Sequence, residues 1–139
     1  MLAGVCAAST HAHEQSGSFT SGAAAATDYY QVTCSDDGNG APDHLSFQVK
    51  DLTPNASRVS VLVGKGATCS PKACARNSTD RIDTDAAYSL PASVAQGPGV
   101  YLVFVKHTGP GSDAYSLSYH CETVDNLHTG TNITARQQQ

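Results

Sequence analysis

Tryptophan is absent from this 139-residue chain, methionine occurs once and phenylalanine three times. Without large aromatic anchors, the core has to be modest and built from valine and tyrosine. Charge is also scarce: 14% of residues are charged, against about 25% in globular proteins generally. Ser, Thr, Asn and Gln take the vacant places, a composition common on extracellular β-proteins. The eight Lys and Arg are scattered and the net charge is −4, so no nucleic-acid partner is expected, because that binding needs clustered cations. No apolar run approaches the ~18 residues of a membrane helix, and no membrane insertion is expected.

Catalytic signatures are missing too. Only Glu14 and Glu122 are glutamates, both near the ends, which excludes a paired-glutamate glycosidase. There is no Gly-x-Ser-x-Gly elbow, no His-Glu-x-x-His and no phosphate-cradling glycine loop. Cys69 and Cys74 are too widely spaced for a Cys-x-x-Cys redox pair. The chain is therefore expected not to be an enzyme.

What is present is alternation. "DYYQVTC" puts Tyr30, Val32 and Cys34 on one face, and "HLSFQVKDL" does the same for Leu45, Phe47 and Val49. "RVSVLVGKG" turns Val59, Val61 and Val63 inward, and "DAYSLSYHC" aligns Tyr115, Leu117, Tyr119 and Cys121. "GPGVYLVFV" is apolar on both faces and predicts a central strand covered on each side. "AYSLPASV" predicts a short edge strand limited by Pro91. Turn-forming clusters such as "SDDGNGAPD" and "DLTPNAS" separate the strands. Six or seven short strands without helical periodicity predict an all-β fold, an antiparallel β-sandwich or jelly roll with Greek-key-like connections.

Residues 1–12 read as the end of a truncated secretory signal, with a small-residue cleavage site after Ala12. Residues 13–27 read as a flexible arm, 28–122 as the sandwich, and 123–139 as a polar, frayed tail. Residues 67–84 read as a long irregular loop. With Cys6 lost in the leader, four cysteines remain, an even number suited to an oxidising, extracytoplasmic compartment, periplasmic or secreted. Cys34 and Cys121 both face inward on the first and last predicted strands, so their bridge staples the sandwich. Cys69 and Cys74 would clip one loop.

The strand texts "TDYYQVTC", "RVSVLVGKG" and "GPGVYLVFVKHTGPGSDAYSLSYHC" resemble the bacterial pre-peptidase C-terminal domain over about residues 28–122. The family's acidic-aliphatic strand is replaced here by "VSVLVGKG". The resemblance implies a secreted β-sandwich, usually accessory to a hydrolase and sometimes binding matrix polymers or calcium.

Two polar groupings are candidates for chemistry. Asp36, Asp37 and Asp43 form one acidic loop, and Asp83 and Asp85, with Asp80, form a second. Their oxygens suit calcium if the two loops meet, and suit plain turns if they do not. Cleavage after Ala12 would make His13 an N-terminal residue, whose amine and imidazole suit copper. The second imidazole would come from His44, His107, His120 or His128, and His107 and His120 are expected near one another; the plainer alternative makes all four surface polar residues. The functional expectation is a non-catalytic binding or structural module that meets a protein or polysaccharide surface through its loops. The alternatives are a metal-binding protein, and self-assembly through the 13–27 arm on a neighbour's edge strand.

Overall fold

A computed structural model describes residues 13–66 and 74–139. Among the described residues there are nine strands: β1 (His13–Ser18), β2 (Thr27–Ser35), β3 (His44–Asp51), β4 (Val59–Gly64), β5 (Ala75–Thr79), β6 (Ala92–Val94), β7 (Gly99–His107), β8 (Ala114–Glu122) and β9 (Gly130–Gln137). They form two antiparallel sheets with strand orders β1-β8-β3-β6 and β5-β4-β7-β2-β9. Strands β1 and β8, β2 and β7, β3 and β6, and β4 and β5 are hydrogen-bonded pairs. That nesting of first with eighth and second with seventh is a jelly roll, to which β9 adds a strand beside β2.

The alternation predicts the inner faces well. Tyr30, Val32 and Cys34 from β2, Leu45, Phe47 and Val49 from β3, and the three β4 valines are all buried. Tyr101, Val103 and Val105 from β7 and the β8 set from Tyr115 to Cys121 complete a core without tryptophan. Cys34 and Cys121 are joined, with Cα atoms 5.5 Å apart and a sequence separation of 87. The bridge links the two sheets through β2 and β8, not through the outermost strands. For so long a loop the chain-entropy contribution is about 4–5 kcal/mol. Cys74 is also disulfide-bonded; its expected partner Cys69 lies outside the described residues, as does the signal segment 1–12.

Four expectations are corrected. The 13–27 arm contains β1, which pairs with the chain's own β8 from His13↔Tyr119 to Ser18↔Ala114, and Phe19 behind it is fully buried. The polar tail contains β9, paired with β2. Both are edge strands held mainly by backbone bonds: β1 has no apolar side chain and β9 lays only Ile133 on the core, so neither carries a run of apolar alternation to betray it. Part of the expected 67–84 loop is β5, on the β4 edge. Strand β7 is not covered on both sides: Val100 is exposed, Leu102 and Phe104 are half-buried, and Phe104 stacks on Tyr29.

Candidate functional site

Strand β8 ends where three other segments begin or turn. His44, the first residue of β3, lies opposite Glu122, the last residue of β8. His13 opens β1 opposite Tyr119. The turn after β8 folds back so that His128 forms a bridge with Glu122. Strand register therefore gathers His13, His44, His120, His128 and Glu122 at one end of the sandwich.

Their contacts form a chain. Glu122 Oε1 lies 2.8 Å from His120 Nε2, and its Oε2 lies 3.1 Å from His44 Nε2. His44 Nδ1 is in turn 2.9 Å from Asp43 Oδ2. His128 Nε2 is 3.3 Å from His13 Nδ1, and the His13 ring stacks on Tyr119. His120 and His128 have ring centroids 6.4 Å apart. His120 Nδ1 is buried with no hydrogen-bond partner. These imidazoles are half-buried, shielded enough to hold a ligand yet open to one. Among the described residues, no three His, Cys, Asp or Glu side chains stand close enough together to hold an ion as they are.

The other sequence-derived candidates fall elsewhere. His107 is buried at the far end of the sandwich, its Nδ1 2.7 Å from Asp113 Oδ2 and its Nε2 2.6 Å from the Ala23 carbonyl. Both ring nitrogens are used and Phe19 covers the ring, so His107 is a cross-brace and not a ligand. It is not near His120: Asp113 and His120 are seven steps apart along β8, about 23 Å of strand. Asp36 and Asp37 accept backbone bonds from Gly38, Gly40 and Asn39, which makes their loop a turn. The Asn39 amide bond, helped by Thr129 and opposed in part by desolvation, holds the Asp37 carboxyl below the usual range. Asp83 accepts bonds from Asn55 and Arg58, and Asp85 from Ala87. Because Asp43 precedes the start of β3 and Asn55 follows its end, the two acidic loops sit at opposite ends of that strand. They do not meet, and the two-loop calcium site is set aside.

Glu122 is the residue that sequence reasoning missed. A usable signal existed, because His120-x-Glu122 places both side chains on one face of a strand. The link from there to His13 and His128 had none.

A concavity apart from the histidine cluster runs between the free edges of β5 and β6, with a volume of about 460 Å³ and walls that include Asn77, Asp80, Ile82, Tyr88 and Leu90. Ile82 and Leu90 are exposed on its rim. No protein-family model matches the chain, and no curated protein matches it.

Proposed function

We propose that the chain is an extracytoplasmic, non-catalytic β-sandwich module that meets its ligand at the histidine-bearing end. One observation carries this reading: three strands and a turn, far apart in sequence, deliver four imidazoles and a carboxylate to one partly open place. Within this cluster one imidazole nitrogen, His120 Nδ1, is buried without a hydrogen-bond partner. The inter-sheet disulfide supports the extracytoplasmic assignment, since such bonds persist in oxidising compartments. A role accessory to a hydrolase, as in pre-peptidase C-terminal domains, belongs to the same proposal and rests on strand text alone.

The test is histidine-resolved NMR of the full chain, titrated with cello- and chito-oligosaccharides and with divalent ions. Binding is expected to move the His13, His44, His120 and His128 ring signals and to leave His107 still. A probe that saturates the protein while leaving those four unmoved overturns the reading, as does a probe that is hydrolysed.

A further inference from the structure

We propose that this end of the sandwich seats a tetrahedral divalent ion of the zinc class between His13 Nδ1 and His128 Nε2, with His120 as third imidazole donor. The inference rests on the binding role assigned above and names its ligand.

The two standing donors are 3.3 Å apart, with ring centroids at 5.0 Å and planes inclined by 34°. Nitrogens bonded to zinc at about 2.0–2.1 Å and at the tetrahedral angle are about 3.3–3.4 Å apart. Square-planar neighbours at the same bond length would be about 2.9 Å apart. The observed spacing matches a tetrahedral edge better than a square-planar one. Without an ion, the same pair makes a long imidazole–imidazole hydrogen bond; an ion entering there takes both lone pairs once the donor ring adopts its other neutral tautomer, its proton moving to the far ring nitrogen.

His120 supplies the independent observation. Its Nδ1 is buried and unpartnered, which is uncommon because desolvation of that nitrogen then goes uncompensated. Its Nε2 is held by Glu122. A carboxylate on one ring nitrogen fixes the tautomer and leaves the other as a lone-pair donor, the arrangement that metal-binding histidines use. His13 and His120 leave opposite faces of the first sheet, so the ion sits at the sheet's end, where the turn brings His128 to both. The His120–His128 centroid separation of 6.4 Å exceeds by about 1 Å that of two imidazoles on one tetrahedral ion. The third bond forms as the His120 ring swings inward. Asp43 and Glu122 place two carboxylates beside the rings, which favours a cation there over an anion.

The experiment titrates the full chain, free of any affinity tag, with Zn(II), Cu(II) and Co(II) separately, by calorimetry and, for Co(II), visible absorption. The expected result is one equivalent of Zn(II) and the intense bands of tetrahedral Co(II). His128→Ala is expected to weaken Zn(II) at least about 100-fold, and His120→Ala and Glu122→Gln by about 10–100-fold. Asp85→Asn, at the far end, should leave affinity unchanged. Thermal melts check that each variant is folded, and His128→Gln stands in if His128→Ala is not. Three results overturn the inference: no saturable binding of any ion, wild-type affinity in folded His128 variants, or Cu(II) alone bound with no tetrahedral Co(II) spectrum. Unchanged affinity in His120→Ala overturns the third donor. Absence of metal binding while an oligosaccharide moves the same rings removes the ion and keeps the binding end; Zn(II) bound with those rings unmoved removes both.

Discussion

At the scale of single residues, the interior is notable for its polar groups. Tyr115 donates to Asp28 at 2.5 Å and sits 2.7 Å from the Tyr30 hydroxyl, all within the buried core. Burial and these bonds push the Tyr115 phenol far above its usual range. Tyr115→Phe would leave the buried Asp28 carboxylate short of a donor, and chemical denaturation should register a loss of about 1–3 kcal/mol. Asp51 is the opposite case. Burial raises its carboxyl above the ordinary 3.8, the Thr53 amide partly offsets this, and the charges of Asp113, Asp83 and Asp80 add to the rise. One of its oxygens has no partner. The folded state therefore binds this proton more tightly than the unfolded chain does. Its ionisation costs nothing below pH 3.8 and lowers stability as pH rises from there through the raised folded value. Asp51→Asn should melt above the wild type at pH 7, and the two curves should converge at about pH 3–4. Equal melting temperatures at both pH values would refute that account.

At the scale of elements, the edge strands explain themselves through what they lack. Strand β1 reads HEQSGS, with no apolar side chain, and holds on by its ladder to β8. Gly17 lies opposite Tyr115, and a Cβ at that position would overlap the tyrosine ring. Gly17→Ala should therefore cost about 1–3 kcal/mol by overpacking. Hydrogen exchange should localise the damage, with β8 amides facing β1 exchanging faster while the β2–β7 ladder stays protected. Uniform acceleration across both sheets would mean that β1 is not a separable element. Outer-face contacts also matter: Tyr88 reaches over the first sheet to Glu14 and Ser116, with the Lys50 ammonium 4.7 Å from its ring centroid. Burial and the bond to Glu14 raise the Tyr88 phenol, though the Ser116 bond opposes the rise.

At the scale of the whole molecule, the Cys34–Cys121 bridge ties the second sheet to the first across 87 residues. The paired change Cys34→Ser with Cys121→Ser should cost about 2–5 kcal/mol, read from denaturant midpoints with and without reductant. Insensitivity of the wild type to reductant would deny the bridge its role. The two ends of the sandwich differ in kind. At one, His107, Asp113 and Asn55 lock together the loops that enter β2, β4 and β8. At the other, the imidazoles remain partly open, and the binding role proposed above rests on that difference.

The sequence by itself determined the strand faces that build the core, since a period of two with buried valine and tyrosine is a local property of each segment. It also determined that Cys34 and Cys121 point inward. Turn chemistry at Asp36 and Asp37 was legible for the same reason. Only the tertiary structure decided that 13–18 and 130–137 are strands, because an edge strand held by backbone bonds leaves no mark on side-chain pattern. Only it decided that His107 is a brace and that His13, His120, His128 and Glu122 share an end. Those residues are brought together by antiparallel register between strands more than a hundred positions apart, and register is fixed by the packed sheets, not by any stretch of chain alone.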